Sequence, residues 1–426
     1  MKKYTAVLLT VIMALSLCGC GSTKSLFGKN TGKEKQSTSE VNSTDMKIGF
    51  LFPSDTEASD TASRLEGIYK MQEETGLSDQ QIIIKESVKK AKCQEKIDEL
   101  VEEGCGIIFS INSAFEDNVI KAAKKYPEVQ FCQEGGKKAE KSGLSNMHNY
   151  DTRLYEAYHV AGLIAGMKLN HLLDKGDISA SECVIGFVAS KKTAKTASCI
   201  NAFYLGVERV CSQSSILVRY VGQSGVYDAD GKCARQLIAA GAKMMAQYTA
   251  TTAVAAVCAE NDIPLVGNDV NLISTAPKAA LTSAVSDWSI YYSYAVKCIQ
   301  KGKTISTDWT AGYAQGAVVV SQLNDEHIAD GTVEKVAELE KNLREGKAKV
   351  FNTEKFTIEG SSLETLFQNS SKYKKYKSYI KDNNFQESIK QSAPVLDSLI
   401  DGITVSTQNY LSETETETTD TSTSQS

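Results

Sequence analysis

At 426 residues the chain is long enough for two or three folded units, and 42% hydrophobic with 23% charged residues is the usage of a soluble globular protein, not of a membrane-spanning or disordered one. A formal net charge of -5, with no Lys/Arg-rich face interleaved with aromatics, excludes the electrostatic footprint of nucleic-acid binding. The eleven cysteines fit neither paired zinc-ligand spacing nor a small disulfide scaffold, because those from Cys93 to Cys298 are scattered singly, and they read as small buried hydrophobes.

The chain opens with Lys2 and Lys3 before "YTAVLLTVIMALSL", an apolar run shorter than the ~20 residues a helix needs to span a bilayer, which reads as an export signal. "LCGC", Leu17 to Cys20, resembles the Leu-x-Gly/Ala-Cys end of bacterial lipoprotein signals. Residues 1–19 are then signal peptide and Cys20 is the lipidated first residue, holding the chain on the outer face of the cytoplasmic membrane. Single thiols fit poorly with export to an oxidising space, which an anaerobic habitat would reconcile. From Cys20 to Asp45 the sequence is rich in Ser, Thr, Gly and Lys and reads as a flexible tether.

Short apolar runs follow: "KIGFLF", "IIIKES", "GIIFSI" and "VQFCQE", alternating with amphipathic stretches such as "QEKIDELVEEGC", where Ile97, Leu100 and Val101 share a helical face. After Tyr150 a long helical segment, "TRLYEAYHVAGLIAGMKLNHLL", opens a second set, "VIGFVA", "ILVRYV", "AKMMAQ" and "IPLVGN". Gly162 and Gly166 form a GxxxG inside that helix, but the charged and polar residues around them exclude a membrane span and predict close helix packing in a soluble lobe. Strands alternating with helices predict an α/β protein of two doubly wound lobes with parallel sheets. The extension 353–410, with "YKKYKSYIKDNNFQESIKQ", reads as partly helical, basic and solvated, and 411–426 as a disordered tail.

In open α/β sheets ligands sit beyond the carboxyl ends of the strands. The candidates there are Asp55 and Asp60 after the first strand, Asn112 and Phe115 after the third, Ser190 after "VIGFVA", Tyr248 after "MMAQ", and Asp269 after "PLVGN". Trp288, with Tyr248 and Phe115, either sandwiches a flat ring or packs the hinge. The four histidines form no HExxH, no Gly-x-Ser-x-Gly occurs, and "GVYDADGKC" has the wrong length and last residue for a phosphate loop, so no catalysis, cofactor or metal is expected.

The blocks "YEAYHVAGLIAGMKL", "IGFVAS", "INAFYLGVE", "ARQLIAAGAKMMAQYTATTAVAAVCAENDIPLVGND", "ALTSAVSDWSIYY" and "GYAQGAVVVSQLN" resemble, in order, the basic membrane protein family of ABC-importer substrate-binding lipoproteins, over Lys47 to Phe351. The resemblance implies a type I periplasmic-binding-protein fold whose lobes are joined by three crossings, placed near Tyr150, at Leu281 to Ser283 and at Gly312 to Gly316. The lobes are then 46–150 plus 283–313 and 151–282 plus 314–352. It aligns Asp269 with a Gly-x-Asp whose carboxylate receives ligand hydroxyls. Nucleoside-binding members carry Asp-Lys-Ser-Phe-Asn after the first strand, whereas this chain has "DTEASDTASRLEG", closer to a variant branch with His-Asp-x-Gly-Arg, for which Asp60, Thr61 and Arg64 stand in. The implied protein is a monomeric receptor that gives a small polar ligand, a purine nucleoside or base, to permease and ATPase subunits. A sensor for a membrane signalling partner and a surface hydrolase on the same lobes are the alternatives.

Overall fold

The structure, a computed structural model, describes residues 46–54 and 59–407, except the side chains of Ser59 and Asp60. Cys20, Asp55, the tether and residues 411–426 therefore lie outside the described residues. The first lobe begins with β1 (Lys47–Leu51), α1 (Ser59–Thr75), β2 (Ile82–Lys85), α2 (Cys93–Glu102), β3 (Cys105–Ser110), α3 (Glu116–Lys125), β4 (Gln130–Glu134), α4 (Ala139–Ser142) and β5 (Met147–Thr152). Strands such as β1 and β3 are apolar on both sides because helices cover both faces of a parallel sheet. In α2, Cys93, Ile97 and Leu100 recur at helical spacing and are the buried residues of that helix.

The second lobe follows with α5 (Leu154–Asp174), β6 (Val184–Ala189), α6 (Ala194–Glu208), β7 (Ser215–Tyr220), α7 (Tyr227–Ala239), β8 (Met244–Tyr248), α8 (Ala253–Glu260), β9 (Leu265–Asn268) and β10 (Ala280–Ser286). The chain returns to the first lobe for α9 (Ser289–Gln300) and β11 (Asp308–Ala311), then re-enters the second for β12 (Val318–Val320) and α10 (Thr332–Arg344). The extension supplies α11 (Leu363–Asn369), α12 (Ser371–Lys374), the small hairpin β13 (Ile380–Lys381) and β14 (Asn384–Phe385), and β15 (Ile403–Val405).

Two large sheets result, ordered β11-β5-β4-β3-β1-β2 and β12-β10-β9-β8-β6-β7-β15. The chain passes between them after β5, after β10 and after β11. The crossing expected at Leu281–Ser283 lies a few residues later, because Ala280–Ser286 is one strand held in the second sheet by parallel pairing to β9 and antiparallel pairing to β12. Where the first two crossings leave their sheets they touch, Thr152 Oγ1 lying 2.7 Å from Ser286 Oγ.

The extension departs from its solvated expectation. Its Ile358, Leu363, Tyr373, Tyr376, Phe385, Leu396 and Ile400 belong to the same core as α5 and α6. In "YKKYK" the two tyrosines stand three apart, so one helical face carries both inward while Lys372 and Lys375 stay outside over their rings, 4.5 and 4.6 Å from the centroids. β15 then pairs in parallel with β7 at the sheet edge, protecting that edge.

α5 and α6 meet backbone to backbone: a methyl on Gly162 would lie 2.0 Å from the Phe203 carbonyl oxygen, and one on Gly206 2.1 Å from that of His159. Eight of the nine described cysteines are buried, Cys233 being the half-buried exception, and none is in a disulfide. Burial pushes the thiols of Cys93, Cys105, Cys132 and Cys211 up to about 12. Among the described residues no helix is long and apolar enough to cross a membrane.

Candidate functional site: an interlobe cleft with two charged bridges

The carboxyl ends of both sheets face one another across a cleft lined by charge. Gly67 lets α1 approach the start of α9, since a methyl there would lie 2.9 Å from Trp288 Cβ. One turn earlier on α1, the Arg64 guanidinium lies over the Trp288 ring, Cζ 4.6 Å from its centroid. Arg64 Nη2 donates to Glu134 Oε1, at the end of β4, at 2.8 Å, and Nη1 donates across the cleft to Asp269 Oδ2 at 3.2 Å. Burial alone would lower the Arg64 pKa, but Glu134 and Asp269 outweigh it and raise it, so the guanidinium is firmly charged.

A second bridge runs the other way. Lys195, in the first turn of α6, donates to Asp151 Oδ1 of β5 at 2.6 Å, and its Nζ lies 5.7 Å from the centroid of Trp288. Asp151 is fully buried and also accepts the Thr152 amide at 2.8 Å. Burial disfavours the Lys195 ammonium, and the neighbouring Asp151 carboxylate reverses that effect and holds it charged. Each lobe therefore sends a cation onto the other lobe's carboxylate, with Trp288 beneath both.

Beside Arg64 lies a cavity of about 120 Å³ lined by Ser190, Tyr248, Thr249, Asn268 and Asp269 of the second lobe. The Tyr158 hydroxyl, from α5, lies 2.6 Å from the Gln247 carbonyl oxygen and 2.8 Å from Asn268 Oδ1, with one proton shared between the two acceptors, and Asn268 Nδ2 donates to the Thr249 carbonyl at 3.3 Å, which orients that amide. Asp269 has φ +62°, a left-handed conformation that aspartate tolerates better than most residues, and its amide donates to the Ala284 carbonyl at 2.9 Å. That turn carries its carboxylate towards the first lobe. Among the described residues no cluster of His, Cys, Asp and Glu could hold a metal ion.

The residues singled out in the sequence divide. Asp269, Tyr248 and Ser190 line the cavity. Trp288 is buried beneath Arg64 and Lys195, which corrects its role as an open ring partner, since cations already cover it. Phe115 belongs in the first-lobe core beside Leu51, Val119 and Phe131: a 3-10 turn at Ser113–Phe115 swings the ring inward, so it cannot stack on a cleft ligand. Asn112 caps that turn, its Oδ1 accepting the Ala114 amide at 2.9 Å, and does not line the cavity. Asp55 and the Asp60 side chain lie outside the described residues. Glu134, Asp151, Lys195 and Asn268 were not singled out, although three of them stand at carboxyl ends of strands and the fourth at the helix start after β6.

This is the arrangement of a two-lobed binding protein of the type I periplasmic-binding fold. A solute-binding protein of an ABC transporter system from Aeropyrum pernix superposes with a TM-score of 0.61 at 15% identity, over 80% of this chain and 99% of that one. A transcriptional activator of the comK gene from Bacillus halodurans gives 0.57 at 18% identity, over 70% and 98%. These likenesses establish the fold. The family model for PnrA-like ABC transporter substrate-binding proteins matches residues 46–350, and the chain belongs to that family. A purine-binding protein of Brucella abortus is 26% identical over 261 residues, 61% of this chain and 70% of its own length.

Proposed function

We propose that the chain is the extracytoplasmic receptor of an ABC importer, anchored through a lipid on Cys20, that captures a purine base or nucleoside between its lobes and presents it to permease and ATPase subunits. The observation that carries this reading is the pair of opposed interlobe bridges, Arg64 to Asp269 and Lys195 to Asp151, beside a polar cavity with one aromatic wall. The Tyr248 ring offers a flat face to a heterocycle, the Asn268 amide and Ser190 hydroxyl read its polar edge, and the Asp269 carboxylate accepts its N–H or O–H groups. Closure is a hinge motion about the crossings, favoured by a ligand that binds the closed form better. Family membership and the purine-binding relative support the ligand class.

The test is mass spectrometry of whatever is released on denaturing the chain purified without its signal peptide, with calorimetric titration of purine bases and nucleosides. A purine released at about one per chain, and an affinity for it reduced ~10-fold or more in Asp269→Ala, is the expected outcome. No released purine and no heat with any of them would remove the ligand assignment.

A further inference from the structure

A groove of about 950 Å³ opens where the extension meets the cleft-facing ends of both lobes. Lys137, just after β4, enters it from the first lobe, and Lys192, in the loop between β6 and α6, enters from the second. Both are exposed, and neither forms an ion pair among the described residues. The floor is the extension: Tyr373 and Tyr376, with Lys372 and Lys375 over their rings, Lys372 Nζ donating to the Tyr373 hydroxyl at 2.8 Å, and with the lining carboxylates Glu359 and Asp397 at the longer distances of 3.4 Å and 3.5 Å from Lys372 and Lys375. The groove is therefore aromatic at its base, carries an excess of cations at its rim and touches both lobes.

The chain itself supplies a matching segment. β15 runs parallel to β7 and is next but one to β6, with the Ser406 amide donating to the Val218 carbonyl at 2.8 Å. Strands are spaced ~4.8 Å apart, so the chain leaves the sheet ~10 Å from β6, at the end where Lys192 lies. Beyond it, "LSETETETTDTSTSQS" carries Glu413, Glu415, Glu417 and Asp420 and no basic residue. The seven residue steps from Ser406 to Glu413 can reach ~23 Å at full extension, enough to bring the first carboxylate into the groove.

We propose that this groove is the docking site of the chain's own acidic segment Leu411–Ser426. Its carboxylates meet Lys137 of the first lobe, Lys192 of the second, and Lys372 and Lys375 of the extension. A single exposed ion pair contributes little. The docking gains from several carboxylates acting together and from the high local concentration of a segment tethered nearby.

The probe is a fluorescent peptide of residues 411–426, its anisotropy followed with the native chain and with a full chain whose own segment is neutralised by Glu413→Gln, Glu415→Gln, Glu417→Gln and Asp420→Asn. The peptide is expected to bind the neutralised chain, to bind the native chain ~10-fold or more weakly because its own segment competes, and to weaken steeply as salt rises. Adding Lys137→Glu and Lys192→Glu to the neutralised chain, with folding checked by circular dichroism, should abolish binding. The proposal is overturned by no binding to the neutralised chain at low salt, by equal binding to both chains, or by binding that survives the two lysine reversals. Equal binding would make the groove a receptor for acidic segments of other proteins. The outcome is independent of the purine assignment, since neither partner lines the ligand cavity.

Discussion

Beneath the cleft the first lobe is filled by rings. Phe50 stacks on Phe109 at 4.9 Å, Tyr150 stacks on Tyr291 at 4.0 Å, and Tyr150 meets Trp288 edge-on at 6.0 Å. The second lobe uses glycine at the corresponding depth, where α5 and α6 approach through Gly162 and Gly206 with no side chain between them. Each solution seats one of the two cations. The ring platform gives Arg64 a flat surface to lie on, and the glycine contact fixes α6, whose first turn carries Lys195. The same task is done by side-chain volume on one side and by its absence on the other, so the two lobes should fail differently.

The largest effect is expected where no atom can yield. Gly162→Val places methyl groups against the Phe203 backbone, so the second lobe should lose its packing, at a cost above ~4 kcal/mol, and denaturant titration should show no native-like cooperative transition. Trp288→Ala opens a cavity in a core that can partly relax; ~3–5 kcal/mol of destabilisation is expected, read as a lower urea midpoint. An unchanged midpoint would mean that the ring platform does not support the lobe.

Lys195→Met leaves the buried Asp151 carboxylate uncompensated, at ~3 kcal/mol or more, whereas adding Asp151→Leu should recover much of that loss. Additivity of the two substitutions would show that the bridge carries no coupling.

The smallest expected effect separates the extension from the lobes by pH. Glu387 is fully buried, and burial pushes its carboxyl up to about 7 although its Oε2 accepts the Val395 and Leu396 amides. A carboxyl raised in the folded state contributes stability present below its unfolded pKa and lost as pH rises through about 7. From pH 5 to 7 this is worth ~2 kcal/mol. His148 of β5 runs opposite: burial lowers it to about 4, so its contribution is present above ~6.5 and is lost as pH falls through about 4. Stability of the native chain relative to Glu387→Gln should therefore fall between pH 5 and 7, and a pH-independent difference would refute this.

Alternation of apolar runs with amphipathic stretches made the two parallel sheets legible, and the GxxxG in α5 announced a close helix contact. The extension was not legible because "YKKYK" is mostly charge by composition, while its folding is decided by two tyrosines on one face. The site was half legible. Asp269 follows an apolar run and Tyr248 ends one, so both stand out, but Glu134 and Asp151, at the ends of β4 and β5, are informative only once their cations, Arg64 and Lys195, are seen beside them. Phe115 misled because a strand end predicts proximity to the cleft, and a single tight turn then decides which way the ring faces.

The buried cysteines make the fold its own tamper seal. The thiols of Cys93, Cys105, Cys132 and Cys211, held above their ordinary pKa and shut off from solvent, have almost no thiolate with which to react, so oxidants find little to attack while the lobes stay packed. One global opening in an oxidising medium releases all of them together, and any mispaired disulfide formed then blocks the way back. Lifetime outside the cytoplasm is therefore set by how often the chain opens, and the rate at which the eight buried thiols are labelled, with the half-buried Cys233 set aside, counts those openings.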